Sequence, residues 1–311
     1  MKKRIILLLS IILIFISISA CYFQTETIVR KSINELKISF IDVGQADSIL
    51  LQTPNGKSVL IDAGNSNDYG TISAYINKQK IKTIDVLAGT HPHEDHIGAM
   101  AEVIKNYDIG SIYMPKVTAN TKVFKNLLKT IKDKKIQITN PVPGKTIDID
   151  KDVNIGILAP NSNKYGELNN YSIVLKLTYD KTSFIFMGDA SAESEKEILE
   201  KKYDLKADVL KIGHHGSSSA TTASFLEAVN PKYAIISVGK ENDYGHPAKE
   251  ILDRLKASKI KVLRTDELGT IVITSDGNTI KLDKNVSAIK TQAPPETNGV
   301  MKPKLLTRRI L

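Results

Sequence analysis

The stretch THPHEDH, residues 90–96, places three imidazoles and a carboxylate within six residues, directly after an apolar run that predicts a buried strand. At the end of a strand, side chains two residues apart point the same way, so His91 and His93 can converge on one ion. Asp95 and His96 turn into a following helix and can face a second ion. Borderline cations such as zinc favour imidazole and carboxylate ligands, so the stretch predicts a metal site.

Partners for such a site occur later in the chain. His214, His215 and His246 are the other histidines of the sequence. His214 and His215 follow an apolar run and precede a Gly-Ser loop, which indicates a strand that opens into a polar loop. Asp189 ends another apolar run in the same way. We therefore expect these strand-end groups to line a cleft along one sheet edge.

Around these residues the chain resembles the metallo-β-lactamase-fold hydrolases, and within them the ComEC-type branch, named after the hydrolase domain of the DNA-uptake channel protein. The resemblance runs from Lys37 to about Leu282. Besides residues 90–96, its motifs are FIDVGQADS (40–48), IDAG (61–64), NYS (170–172), GD (188–189), LKIGHHGS (210–217) and YGHP (244–247). It implies an α/β fold, an αββα sandwich of two mixed sheets with outer helices, and a metal-dependent hydrolase.

By position, the resemblance also implies roles for single residues. The implied metal ligands are His91 and His93 for a first ion, Asp95, His96 and either His214 or His215 for a second, and Asp189 as a bridge between the two. Asp62 would orient a ligand imidazole by accepting the proton on the ring nitrogen that does not bind metal. We expect one or two zinc ions, with manganese as the alternative.

One departure from the family pattern concerns the first ion. The family often places a further histidine between the cluster and the bridging aspartate, and the sequence has none between His96 and His214. Asn170 or Ser172 stands in that region, and we expect both beside the metal ligands. The first site is therefore expected to be open or weaker, which leaves single-metal occupancy as an alternative.

Composition predicts one catalytic domain. The chain has 311 residues, of which 41% are hydrophobic, enough for the core of a domain of about 250 residues. We place this hydrolase domain at residues 37–284, after a linker over residues 22–36 and before a disordered basic tail over residues 285–311. The formal net charge is +9, but the first four residues and the tail carry most of it. Residues 21–284 keep only +2, so bulk charge gives little support for duplex DNA binding.

The N-terminal 21 residues are typical of a bacterial targeting segment. A basic start precedes an apolar segment over residues 5–20, which as a helix would reach about 24 Å, short of the ~30 Å hydrocarbon core. The motif ISAC, residues 18–21, resembles a lipobox and predicts lipidation of Cys21. An uncleaved transmembrane anchor is the alternative. Both predict a domain attached to the bacterial membrane by its N-terminus, at the extracytoplasmic face.

The remaining patterns predict the order of secondary structure. We predict strands over residues 38–43, 48–52 and 58–62, a hairpin turn at 54–57, helices over 71–79, 96–106 and 123–132, and a loop between the halves over 140–145. Strand and helix patterns alternate again over residues 173–280, which is consistent with two facing sheets and outer helices.

The predicted mechanism uses a metal-bound hydroxide that attacks phosphorus or a carbonyl carbon, because a bound divalent ion lowers the pKa of water towards ~7. Asp95, His214 and His246 are the candidate catalytic residues. His246 would protonate the leaving oxygen or hold a substrate oxygen; a histidine that caps its loop is the alternative interpretation.

The resemblance implies phosphodiester hydrolysis, with DNA as one substrate class and cell-wall polymers as another. β-Lactamase action is disfavoured, because Asp95 follows the hydrolase pattern and Cys21, the sole cysteine, lies at the membrane end. The alternative function is a degenerate metal-binding module, or a competence-associated binding module, without catalysis of its own.

Overall fold

Two β-sheets lie face to face in the computed structural model, which describes residues 35–283. The strands are β1 Leu36–Phe40, β2 Ile49–Gln52, β3 Ser58–Ile61, β4 Thr83–Ala88, β5 Asp108–Tyr113, β6 Ile138–Thr139, β7 Thr146–Asp150, β8 Val153–Ala159, β9 Val174–Tyr179, β10 Thr182–Phe186, β11 Val209–Lys211, β12 Tyr233–Ile236, β13 Lys261–Arg264, β14 Ile271–Ser275 and β15 Ile280–Leu282. The first sheet has the order β15-β14-β1-β2-β3-β4-β5-β6, and the second β13-β12-β11-β10-β9-β8-β7.

Helices cover the outer faces of both sheets. They are α1 Tyr69–Lys78, α2 Glu94–Ile97, α3 Met100–Asn106, α4 Lys122–Asp133, α5 Ala192–Glu200, α6 Ala223–Val229, α7 Lys249–Ala257 and α8 Thr265–Leu268, with short 3-10 helices at Leu168–Tyr171 and Gly213–Gly216. Both sheets are mixed: β3, β4, β5 and β6 run parallel, as do β10, β11, β12 and β13, and the other pairings are antiparallel. The predicted αββα sandwich is confirmed.

The strands are apolar on both faces because each sheet is covered twice. In β2, Ile49 and Leu51 join the core between the two sheets, whereas Leu50 joins the core under the helices of the first sheet. β3 repeats the pattern, with Ile61 towards the other sheet and Leu60 towards the helices. Successive side chains of a strand point to opposite faces, so a doubly covered strand needs apolar residues at every position.

The element predictions held where the pattern was local. The strands predicted over 48–52 and 58–62 are β2 and β3, and the predicted loop over 140–145 separates β6 from β7. The first strand ends at Phe40, three residues before the predicted end at Val43. The helix predicted over 96–106 is wrong as one element, because it is divided into α2 and α3 at Gly98 and Ala99.

A tertiary contact explains this division. The amide of Gly98 donates to the carbonyl of Gly64 at 2.8 Å, as well as to that of Glu94 at 2.7 Å within α2. A Cβ on Gly98 would lie 2.3 Å from the backbone of Asn65 and Ser66, so only glycine lets the two segments approach so closely. The turn after the histidine stretch is thereby fixed against the loop that follows β3.

Within residues 35–283, no helix combines the length and the apolar character that a membrane crossing requires. The predicted targeting segment with Cys21 and the predicted basic tail over 285–311 lie outside the described residues.

We expect Gly98→Ala to destabilise the protein by about 1–3 kcal/mol, because the added methyl group must displace the backbone of Asn65 and Ser66. Gly70→Ala is the matched control: a Cβ on Gly70, in α1, would meet no atom within 4 Å. The free energy of unfolding in urea should fall for the first variant and stay equal or rise for the second. Equal unfolding midpoints for the two variants would contradict the packing described here.

Candidate metal centre

The candidate ligands follow strands of both sheets. The histidine stretch begins two residues after β4, in the first sheet, whereas Asp189 follows β10 and the His214–His215 pair follows β11, both in the second. The expectation of a cleft along one sheet edge is therefore wrong. The two sheets are stacked with these strand ends at the same end of the sandwich, so the site lies between them.

Four of the side chains form a tight cluster. Asp95, His96, Asp189 and His215 each offer one ligand atom, and these atoms all lie within 4.8 Å of one another. Nε2 of His96 is 3.2 Å from Oδ1 of Asp189, and Nε2 of His215 is 3.1 Å from Oδ2 of Asp95. His96, His215 and Asp189 are buried. This arrangement matches the ligand set implied for the second ion, with His215 rather than His214 in the cluster.

The other candidate ligands lie beside this cluster. Nε2 of His91 is 3.0 Å from Nδ1 of His93, as expected for side chains two residues apart at a strand end. Nε2 of His91 is also 3.9 Å from Oδ2 of Asp189, and Nε2 of His214 is 3.6 Å from the same oxygen. The two oxygens of Asp189 thus face different sets of imidazoles.

Two buried atoms at the centre are placed to share a cation. Nε2 of His96 and Oδ1 of Asp189 have no hydrogen-bond partner among the described residues. Buried polar atoms are nearly always satisfied in folded proteins, so such a pair indicates a missing partner. A divalent ion that accepts a lone pair from each of them would satisfy both.

Asp62 fixes the orientation of His96. It is buried and has a left-handed backbone conformation, φ 58°, and it accepts hydrogen bonds from the amide and the hydroxyl of Thr90 at 2.7 and 2.8 Å. Its Oδ2 lies 2.7 Å from Nδ1 of His96. When Nδ1 carries the proton, Nε2 presents its lone pair to the cluster, so Asp62 occupies the position that its expected role requires.

The other imidazoles are held in the same way. Nδ1 of His215 lies 3.0 Å from the carbonyl oxygen of Ser237, which leaves Nε2 facing the cluster. Nδ1 of His91 is 3.3 Å from Oγ of Ser172, which also accepts from the amide of Asp189 at 3.0 Å. Ser172 therefore lies beside two candidate ligands, as expected.

Asn170 is placed differently from its expected position. Its side chain bonds to Glu193 at 2.8 Å and to the amide of Ser191 at 3.1 Å, so it holds the loop after Asp189 and is turned away from the ligands. The preceding residue, Asn169, contacts His214 beside the cluster: its Nδ2 lies 3.4 Å from both ring nitrogens of His214. The sequence motif predicted an asparagine beside the ligands. The turn of the 3-10 helix decides that Asn169, and not Asn170, faces them.

Electrostatics favour positive charge within the cluster. Burial would raise the pKa of Asp189, but the charges of His96 and His215 outweigh it and hold the pKa well below its ordinary value. Burial would lower the pKa of His96, but Asp189 and Asp62 hold it well above its ordinary value. Desolvation, together with the charge of His96, holds the pKa of His91 well below the usual range. The carboxylates thus demand positive charge, which a metal ion would supply in place of the proton on His96.

A buried ion pair between Lys211 and Asp47 lies next to His215. Nζ of Lys211, at the end of β11, is 2.8 Å from Oδ2 of Asp47, and both side chains are at most 1% exposed. Oδ1 of Asp47 is 3.6 Å from Nδ1 of His215. We did not predict this pair from sequence. Its signal was the lysine inside the apolar run over 209–212, since a lysine is almost never fully buried without a partner.

The ligands open onto a cleft of about 350 Å³. His246 lines it, with Nδ1 3.5 Å from Nε2 of Gln45, and its ring stacks on that of Tyr244 at 5.7 Å between centroids. Tyr244 is 73% exposed, so one face of an aromatic ring is available at the mouth of the cleft. A larger cavity, about 610 Å³, includes Lys57 and Asp85 in its lining and contains none of the candidate ligands.

Comparisons with known proteins show the family of the chain. Residues 41–240 match the family model described as the metallo-beta-lactamase superfamily. ComE operon protein 3 of Bacillus subtilis is 32% identical over 255 residues, which cover 76% of this chain and 33% of that protein. Competence protein ComA of Neisseria gonorrhoeae is 30% identical over 240 residues, covering 76% and 32% of the two chains. The chain thus spans about a third of the length of these relatives, which confirm the predicted resemblance to ComEC-type proteins.

A solved structure shows the same fold. The metallo-beta-lactamase fold protein YhfI from Bacillus subtilis superposes with a TM-score of 0.50 at 12% identity, over 74% of this chain and 95% of that one.

We expect Asp189→Ala to remove most of the bound metal, because Asp189 is the carboxylate that faces both sets of imidazoles. The measurement is metal content per chain by elemental analysis after dialysis against zinc or manganese. His246→Ala is the matched control: the ring of His246 contacts Gln45, Tyr244 and the ring of His214, but its nitrogens form no ion pair with Asp189 or Asp95, so the metal content should stay unchanged. Stoichiometric metal in Asp189→Ala would show that the ions bind elsewhere.

A separate prediction concerns the Lys211–Asp47 pair. Lys211→Met should cost about 3–5 kcal/mol of unfolding free energy, because it leaves a buried carboxylate without its counter-charge. The double variant Lys211→Met/Asp47→Leu should recover much of that loss. The exposed pair Lys57–Asp85, at 2.9 Å, supplies the control, and Lys57→Met should cost no more than about 1 kcal/mol. Equal losses for the two lysine variants would contradict this account.

Proposed function

Since the chain belongs to the metallo-β-lactamase superfamily, we propose that this metal-dependent hydrolase is a phosphodiesterase that acts on DNA or on another cell-surface phosphodiester. The observation that carries the proposal is the position of Asp189, whose two oxygens face separate sets of imidazoles at the floor of an open cleft. A site with this donor set suits a reaction in which negative charge develops on several oxygens at once.

The residues that would hold the metal are those whose donor atoms converge. Asp95, His96 and His215 surround one oxygen of Asp189, and the pairing of His96 with Asp62 keeps that imidazole oriented. Bound divalent ions would supply Lewis acidity, which lowers the pKa of water and neutralises charge on phosphoryl oxygens. The donor set contains nitrogen and oxygen and no thiolate, which suits zinc and also manganese.

His246 is the side chain best placed to donate a hydrogen bond to a substrate oxygen at the cleft. The amide of Gly239 donates to Oε1 of Gln45 at 3.0 Å, which fixes the side-chain amide so that its NH₂ group faces Nδ1 of His246. With Nδ1 as the acceptor, the ring of His246 is neutral and its proton sits on Nε2, from which it can donate a hydrogen bond to a substrate oxygen. Burial, with the nearby charges of His214 and His215, lowers the pKa of His246, which favours this neutral, hydrogen-bonding form.

An exposed aromatic ring favours a nucleic-acid strand over a polyol phosphate polymer. Tyr244 stands at the mouth of the cleft with 73% of its surface exposed, and its ring is nearly parallel to that of His246, at 24°. Nucleobases stack on such rings with about 1–3 kcal/mol per base, whereas the glycerol or ribitol units of a cell-wall polymer have no planar face. The base next to the cleaved bond would lie on this ring.

For the place of the reaction, we propose that Cys21 is the lipidated first residue of the mature chain, with the catalytic domain outside the cytoplasm. The support is the apolar segment over residues 5–20 and the small residues before Cys21.

Mass spectrometry of the membrane fraction tests this placement. We expect a chain that begins at a lipid-modified Cys21, and Cys21→Ser should alter its processing. A mature chain with residues 1–23 intact and unmodified would establish a transmembrane anchor instead.

For the reaction, we expect Asp95→Ala to lower turnover of bis-p-nitrophenyl phosphate and of single-stranded DNA on the order of 100-fold or more, with little change in unfolding free energy. Asp95 lies at the cluster and its side chain is 30% exposed, so its loss leaves the sheets packed. Glu102→Ala, an exposed carboxylate of α3 paired with Lys105, is the matched control and should keep full activity.

Two outcomes would overturn the proposal. The first is full turnover in protein stripped of metal by a chelator. The second is metal-loaded protein that binds single-stranded DNA but cleaves no phosphodiester, which would favour a binding module without catalysis.

A further inference from the structure

We infer that His214 takes the place of the missing histidine as a ligand of the first metal position, one of the two positions that the resemblance implies on either side of Asp189. The inference deepens the proposed function at the same site, but it is a statement about metal binding and does not depend on which substrate is cleaved. It revises the expectation of an open first site and assigns separate roles to the two neighbouring histidines.

The first observation is the division of imidazoles between the oxygens of Asp189. Oδ1 faces Nε2 of His96 at 3.2 Å and Nε2 of His215 at 3.7 Å. Oδ2 faces Nε2 of His91 at 3.9 Å and Nε2 of His214 at 3.6 Å. When a tetrahedral ion binds two ligand atoms at about 2.1 Å each, those two atoms are roughly 3.4 Å apart. The oxygen–nitrogen distances around Oδ1 and around Oδ2 are close to this spacing.

The second observation is the shared orientation of these imidazoles. In His91, His96 and His215, Nδ1 faces an oxygen outside the cluster and Nε2 faces Asp189. His214 follows the same rule: Nδ1 lies 3.2 Å from Oγ of Ser219, and Nε2 points to Asp189. An outer oxygen on the remaining ring nitrogen is the usual arrangement of metal-bound histidine, because it fixes the tautomer with the inner lone pair free.

The backbone explains how neighbouring histidines reach different oxygens. His214 and His215 both have left-handed conformations, with φ of 49° and 52°. Such conformations are uncommon for residues other than glycine and are found at functional sites. Here they separate the two rings, whose centroids are 6.1 Å apart at 64°. His215 is buried within the cluster, whereas the side chain of His214, 25% exposed, forms part of the cleft wall.

The two positions should differ in affinity. The donor atoms of Asp95, His96, Asp189 and His215 all lie within 4.8 Å of one another, and His96 is 3.2 Å from the bridging carboxylate. Among the described residues, the donors around Oδ2 form no group with this mutual spacing, and the nearest imidazole nitrogen, that of His214, is 3.6 Å from Oδ2. The position at His214 is therefore the looser one. We therefore expect stepwise binding, with the ion at His215 bound first and the ion at His214 second.

Titration of the metal-free full chain with Mn²⁺, followed by electron paramagnetic resonance, tests the inference. Wild type should bind two ions in two steps, with a spin-coupled pair at saturation. His214→Ala should keep the tighter step, lose the coupled pair and weaken the second step at least tenfold. His214→Asn should behave in the same way, and it controls for the backbone because asparagine tolerates the left-handed conformation. His215→Ala should lose the tighter step.

The matched control is His246→Ala, which removes another histidine of the same cleft and should keep both ions. Unfolding curves of the metal-free variants check that each is folded. Two ions with unchanged affinities in both His214 variants would overturn the inference, as would a wild-type chain that binds one ion at millimolar Mn²⁺. Because the titration contains no substrate, a failure of phosphodiester cleavage would be seen separately and would leave the ion count unaffected.

Discussion

The burial of Asp189 between two sheets is the constraint on which the rest of the site depends. A carboxylate removed from water must meet positive charge or be neutralised, since an isolated buried charge is very costly. In the described structure, imidazole nitrogens face both oxygens of Asp189. Imidazoles are neutral unless protonated, however, and the pKa of His91 is held well below its ordinary value. The charge of the cluster is balanced most simply when a divalent cation replaces the proton on His96.

The fold supplies this arrangement by ending strands of two sheets at one place. Three of the imidazoles that face Asp189 each have a partner on the ring nitrogen that points away from it. The partner is Asp62 for His96, the carbonyl of Ser237 for His215, and Ser172 for His91. Such partners matter because a ligand must point at the ion before the ion arrives. The close approach of Gly98 to the loop after Asp62 fixes the segments that follow the neighbouring strands β3 and β4 against each other.

Local chemistry in the sequence predicted the metal stretch, whereas contacts between distant segments decided what could not be predicted. Residues 90–96 carry their spacing within one strand end and one turn, so the pairing of His91 with His93 could be inferred directly. The placement of Asp189 and His215 on the second sheet depends on topology, which strand patterns alone leave open. The roles of His214 and His215 depend on two left-handed residues, and the Lys211–Asp47 pair joins segments 164 positions apart. Asn170 shows the same limit, because one turn of a 3-10 helix decides whether it or Asn169 faces the cleft.

The most direct test of the central claim is an anomalous difference map from crystals of the full chain grown with Mn²⁺. We predict a peak bonded to Oδ1 of Asp189 and to Nε2 of His96 and His215, at roughly 2.0–2.2 Å from each. A map without density at saturating Mn²⁺, with Nε2 of His96 protonated and hydrogen-bonded directly to Asp189, would contradict the account and make the cluster a buried ion-pair network.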